Sequence, residues 1–130
     1  METVLGADEL IASIRLPALA CAKHSRYRKV RDRASFAFAL VSVAAALETV
    51  DGSITNVRLA LGGVAHKPWR ALRAESVLTG AEANVALFRR AAEAELAGAQ
   101  GFGHNSFKIE LARRLIVSVL SELAEAGDKV

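Results

Sequence analysis

Residues 36–63, FAFALVSVAAALETVDGSITNVRLALGG, decide how this chain folds. The first part, residues 36–47, is apolar apart from Ser42, and periodicity alone allows a buried strand or a buried helix. Length and alanine content favour helix; Phe36, Phe38, Val41 and Val43 favour strand. Asp51-Gly52 tips the balance to strand, because Asp-Gly between two apolar runs is a strong hairpin signal. Past the turn, Val57, Leu59 and Leu61 alternate with Asn56, Arg58 and Ala60, the pattern of a half-buried strand.

Upstream of the hairpin lies a dense basic stretch. Lys23, Arg26, Arg28, Lys29, Arg31 and Arg33 against Asp32 give residues 23–33 a charge of +5, while the whole chain carries +3, so all other residues sum to −2. A charge this local, beside a buried element, suggests an anion held at a defined place. The stretch has no helical stripe. If it is extended, Ser25, Tyr27, Lys29 and Arg31 point one way and His24, Arg26, Arg28 and Val30 the other. Further upstream, Leu10, Ala12, Ile14 and Leu16 alternate with more polar neighbours until Pro17, which predicts a strand over residues 9–16.

Downstream, the pattern turns helical after Pro68. Residues 69–78 read as a short helix ended by Thr79-Gly80. Thr79 and Glu82 form a T-x-x-E capping box for a second helix with Val85, Phe88, Ala92 and Leu96 on one face. Residues 98–103 form a loop, and Asn105 or Ser106 caps a third helix. In that helix Ala112, Ile116, Leu120 and Leu123 make one stripe flanked by Leu111, Leu115 and Val119, and Gly127 ends it. Strands followed by helices give an α+β class: an antiparallel sheet of three to four strands packed against three helices.

The composition narrows the function classes. A chain of 130 residues, 52% hydrophobic, is one globular domain with a real core. The apolar run at residues 34–47 is shorter than the roughly 20 residues a membrane helix needs, and residues 1–5 lack the basic start and apolar run of a targeting segment. The expected location is the cytoplasm, or the periplasm if a partner carries the chain there. The pI near 9.4 invites a nucleic-acid reading. The charge is not spread over a face, however, and five Phe with one Tyr and one Trp make a poor base-stacking surface. Neither a nucleic acid nor a membrane is therefore an expected partner.

Self-contained catalytic chemistry is absent from the sequence pattern. His24, His66 and His104 fall in separate segments without ligand spacing, and the single Cys21 reads as a small buried thiol, so no metal is expected. Ser35, Ser42, Ser76, Ser106, Ser118 and Ser121 sit in no nucleophile motif. Gly62-Gly63 and Gly101-x-Gly103 match no phosphate-binding fingerprint and read as a bulge or loop. The paired acids Glu93/Glu95 and Glu122/Glu125 are expected on solvated helix exteriors. The basic strand keeps two readings open. It is either a charged edge that discourages strand pairing, or a surface on which Tyr27 and Lys29 face a bound planar or anionic group.

A resemblance adds to this. Residues 27–39, YRKVRDRASFAFA, resemble the segment opening the C-terminal domain of the FAD-carrying subunit of molybdenum hydroxylases, the family of aldehyde oxidoreductases, xanthine dehydrogenases and carbon monoxide dehydrogenases. The likeness continues through residues 59–70, LALGGVAHKPWR, and residues 105–114, NSFKIELARR. Glu9-Leu10-Ile11 with Ile14-Arg15-Leu16-Pro17 is similar to the strand leaving the FAD-binding region. It implies an α+β sandwich like the carbon monoxide dehydrogenase flavoprotein C-terminal domain, with residues 1–17 a remnant of the preceding strand and linker and residues 18–130 the domain itself. It also implies a lysine, here Lys29, approaching the flavin ring. Arg33 occupies a basic position near the cofactor, and Tyr27 and Arg31 are its neighbours.

The implied role is a flavin-covering and subunit-docking domain of an oxidoreductase, with a molybdenum-cofactor subunit and an iron–sulfur subunit as partners. The glycine-rich subdomains that hold most of FAD in that family have no counterpart here. A truncated or split product, or a fragment, is therefore expected, one that is inactive alone and binds FAD only with the missing portion. Its uncovered surface makes a homo-oligomer an expected partner. The alternative is a non-catalytic assembly scaffold that has lost flavin binding.

Overall fold

The computed structural model describes residues 4–34 and 36–127. The expectations resting on residues 1–3 and on Ser35 lie outside this range. Four antiparallel strands form one sheet in the order β1-β2-β3-β4: β1 (Ser25–Val30), β2 (Val41–Val50), β3 (Ser53–Gly62) and β4 (Trp69–Arg70). Helices α1 (Leu72–Leu78), α2 (Val85–Leu96) and α3 (Phe107–Gly127) follow, with short 3₁₀ turns at Ala20–Lys23 and Gly103–Asn105. This is the expected α+β architecture.

The hairpin forms where Asp-Gly places it. Val50 pairs with Ser53 across a two-residue loop, and both Asp51 (φ 50°) and Gly52 (φ 75°) take the left-handed conformation that matches strand twist. A bulge follows, where the register shifts between Glu48 and Thr49. It explains why Ile54 and Val57, three residues apart, are both fully buried: an unbroken strand would send them to opposite faces. Val41, Val43, Ala45 and Leu47 of β2 and Val57, Leu59 and Leu61 of β3 then share one face.

Helices cover that face. Ala112, Ile116, Val119 and Leu120 of α3 are buried against it and α1 packs on β3, while α2, with Phe88, Ala91 and Ala92 buried, packs on α1 and α3. Each large apolar side chain buried here contributes about 1.5–3 kcal/mol. The opposite face is floored by small residues, with Ser42, Ala44 and Ala46 of β2 beside Ala60 and Gly62 of β3. The turn Ala20–Lys23 lies against β2 and buries Cys21, as expected for that thiol, while the Leu47 amide donates to His24 O at 3.0 Å.

Four local expectations are corrected. Residues 9–16 form no strand: Leu10, Ile11, Ile14 and Leu16 are exposed, because no described strand runs beside them to take their hydrogen bonds. Residues 36–40 lie outside any strand, and Phe36 and Phe38 are fully exposed. Trp69 and Arg70 belong to β4 rather than the first helix, since Leu61 and Ala60 of β3 pair with them.

The cap of α2 is Asn84, whose Oδ1 accepts from the Leu87 amide at 2.9 Å, not Thr79. Thr79 instead closes α1, its hydroxyl donating to Glu75 O at 2.8 Å. The intervening residues are held to the hairpin: Ile54 N donates to Ala81 O and Ala83 N to Gly52 O, both at 2.9 Å, so the helix starts only after them.

Candidate flavin-facing groove

Because β1 lies at the sheet edge with side chains alternating between faces, its basic residues divide into two sets with different work. Arg26 and Arg28 pair with Ala45 and Val43 of the core face and reach α3. Arg28 donates to Ser118 Oγ at 2.8 Å and forms an ion pair with Glu122, and Arg26 Nε lies 3.9 Å from the same carboxylate. These two guanidinium groups bolt the edge strand to the third helix. Glu122, expected to be solvated, is their shared counter-charge.

Tyr27 and Lys29 occupy the other face, opposite Ala44 and Ser42. Lys29 Nζ donates to Ala37 O at 3.1 Å, which ties the loop at residues 36–40 to the strand. The chain returns tightly there, with Leu40 N donating to Val30 O at 2.8 Å. An open groove of about 530 Å³ results, lined by Tyr27, Lys29, Phe36, Ala37, Phe38, Ala39 and Gly63. Gly63 lines it directly after Gly62, the last residue of β3. A Cβ on Gly62 would collide with Ser42 Oγ, and one on Gly63 (φ 75°) would stand 2.7 Å from Leu40 O. Glycine is required here for the loop to close on the end of β3.

The expected site residues therefore separate. Tyr27 and Lys29 share the groove; Arg31 and Arg33 lie in the exposed turn after β1 and do not line it. Sequence patterning misses Phe36 and Phe38, which it assigns to the core strand. The groove offers a phenol, two phenyl rings and one ammonium, a set suited to a flat group with a polar edge. It offers no nucleophile beside a base. Among the described residues, no group of three His, Cys, Asp or Glu is gathered to hold a metal, and no helix is long and apolar enough to cross a membrane.

Two buried carboxylates, also unanticipated, fix the far edge of the sheet. Glu75 Oε1 accepts from the Leu59 amide at 2.7 Å and from Arg70 Nε, and Oε2 accepts from Arg70 Nη2 at 2.9 Å. That hydrogen bond raises the Arg70 guanidinium pKa above its ordinary value. Glu95 Oε1 accepts from Trp69 Nε1 at 2.8 Å and Oε2 from the Ala74 amide at 3.0 Å. Glu95 is thus buried rather than on the solvated exterior expected for it. Its spacing from Phe88, Ala91 and Ala92 places it on the buried face of α2, a signal present in the sequence.

The sequence model of the CO dehydrogenase flavoprotein C-terminal domain matches residues 25–123. The aldehyde oxidoreductase FAD-binding subunit PaoB of Escherichia coli (strain K12) is 49% identical over 123 residues, covering 94% of this chain and 35% of that protein. Quinoline 2-oxidoreductase from Pseudomonas putida 86 superposes with a TM-score of 0.71 at 26% identity, covering 80% of this chain and 38% of that one. Carbon monoxide dehydrogenase from Hydrogenophaga pseudoflava gives 0.73 at 24% identity, covering 86% and 40%. The chain spans about a third of the length of the curated relatives it matches.

Proposed function

This chain belongs to the CO dehydrogenase flavoprotein C-terminal domain family, and from that premise we propose that it covers the flavin in the FAD-binding subunit of a molybdenum hydroxylase-type oxidoreductase. The observation that carries the reading is the Tyr27–Lys29 groove, which opens away from the helices beside two uncovered phenyl rings. Its residues fit the ring half of FAD: aromatic faces for the planar system and one ammonium for its carbonyl edge. No glycine-rich cradle for the pyrophosphate stands beside them among the described residues, so the rest of the cofactor is assigned to a separate FAD-binding portion.

When bound, FAD supplies the electron-accepting group. The chain's own residues position and shield it. Lys29 Nζ, now on Ala37 O, is within its own reach of the groove and offers a charge-assisted hydrogen bond to a carbonyl there. Tyr27, Phe36 and Phe38 exclude water from one side. Arg31 and Arg33 add positive charge from the adjoining turn. Residues 4–17, exposed and apolar at Leu10, Ile11, Ile14 and Leu16, form the lead from the FAD-binding portion, and the partners are a molybdenum-cofactor subunit and an iron–sulfur subunit.

The test is a titration of FAD by flavin fluorescence, with and without the FAD-binding portion supplied separately. Binding should require that portion and weaken about tenfold with Lys29→Ala, the effect of losing one charge-assisted hydrogen bond. Lys29→Ala and Tyr27→Ala leaving FAD affinity unchanged would end the flavin-covering reading. No binding under either condition would favour an assembly scaffold.

A further inference from the structure

A second cavity, of about 380 Å³, lies on the helix side of the sheet between the end of β3, the loop at residues 98–105 and the start of α3. Its size falls in the range of small-molecule sites, roughly 300–1,000 Å³. Leu61, Leu96, Phe102, Ile109 and Ala112 supply apolar walls, and Trp69 borders it. Two cations, Arg73 and Lys108, also line it.

These cations differ from their neighbours. Arg70 is committed to Glu75, and Arg113 and Arg114 to Glu110. Among the described residues, Arg73 has no carboxylate within ion-pair distance, and Lys108 donates only to Gly63 O at 3.3 Å. The one acid on the wall, Glu95, is buried with each oxygen already accepting an N–H. Its charge repels an anion from the inner wall, while Arg73 and Lys108 attract one elsewhere. Asn105 uses Oδ1 to accept from the Phe102 amide at 2.6 Å, which leaves its NH₂ as a donor.

We propose that this cavity binds a small carboxylate carrying an apolar body, its carboxylate held by Arg73 and Lys108 and its body against Leu96, Phe102 and Ile109. The site adjoins the Tyr27–Lys29 groove at Gly63, which lines both, and does not depend on the flavin reading. Trp69 is the sole tryptophan, so its indole N–H gives a single reporter signal at the cavity.

The experiment is an ¹⁵N-correlated NMR titration of the full chain with 4-phenylbutyrate and, in parallel, its neutral amide. The acid should move the Trp69 indole and Gly98 amide signals saturably and bind about tenfold tighter than the amide. Arg73→Gln with Lys108→Gln, both outside the core, should bring the two ligands to parity. Ala99→Phe in the lining loop should abolish both, and Lys29→Ala should change neither. Equal binding of acid and amide to the unaltered chain would overturn the proposal. So would shifts confined to the Tyr27–Lys29 groove, no saturable shift at millimolar acid, or binding that survives Ala99→Phe.

Discussion

Replacing Glu75 by alanine removes the acceptor of an amide that has no other described partner. Leu59 is 1% exposed, and its N–H donates to Glu75 Oε1 from the middle of the sheet. Leaving a buried donor unsatisfied costs about 1–3 kcal/mol. The same substitution dissolves the ion pair with Arg70, but that guanidinium is 47% exposed, so the pair adds no more than about 1 kcal/mol. The expected loss is about 1–4 kcal/mol. With a urea m-value of about 2 kcal/mol/M, the unfolding midpoint should fall by about 0.5–2 M with m unchanged.

Arg70→Ala separates the two contributions, since it spares the Leu59 bond and should cost about 1 kcal/mol or less. Glu75→Gln keeps an acceptor for Leu59 and should fall between them. The reasoning fails if Arg70→Ala destabilises as much as Glu75→Ala, or if Glu75→Ala costs under about 0.5 kcal/mol.

Other positions give independent checks. The hydrogen bond from Arg114, seconded by Arg113, lowers the Glu110 carboxyl below its reference value of 4.5, so the interaction is present above that pH and is lost as pH falls through the lowered value. Side-chain NMR should show Glu110 titrating below 4.5 and rising with Arg114→Ala; a midpoint at or above 4.5 in the unaltered chain would contradict this. Gly63→Ala forces a Cβ against Leu40 O as well as a positive φ, whereas a Cβ on Gly52 meets nothing within 4 Å. Gly63→Ala should therefore destabilise by several kcal/mol against about 1 kcal/mol for Gly52→Ala, and equal urea midpoints would refute the crowding at Gly63. Leu10, Ile11, Ile14 and Leu16 leave apolar surface open to solvent. Sedimentation should show concentration-dependent self-association that Leu10→Ser with Ile14→Ser reduces, and a clean monomer at high concentration would oppose it.

What could be read beforehand was local. Asp51-Gly52, the Val57/Leu59/Leu61 alternation and the Ala112–Leu123 stripe each carry their signal within a few residues, and each element formed where they place it. Residues 9–16 show the limit of alternation, which records which side a strand would bury but not whether a partner strand exists. Thr79 and Glu82 have the right spacing for a capping box, yet the backbone bonds of Ala81 and Ala83 to the hairpin decide where α2 begins. At the groove, the extended geometry put Tyr27 and Lys29 on one face correctly. It could not show that the strand stops at Val30, taking Arg31 off that face, or that Phe36 and Phe38 would be left outside the core.

The Glu95 contact has a bearing on when α1 can form. Ala71, at its N-cap, provides no side-chain bond, and the helix has only seven residues, too few to be stable alone in water. The carboxylate that satisfies the Ala74 amide lies 21 residues further on. At a synthesis rate of about 5–20 residues per second, residues 72–78 wait roughly one to four seconds for it after being made. Helix α1 thus completes its first turn only when α2 docks, although Glu75 can tie it to β3 earlier. Its amides should exchange with solvent in step with those of α2, as one cooperative unit.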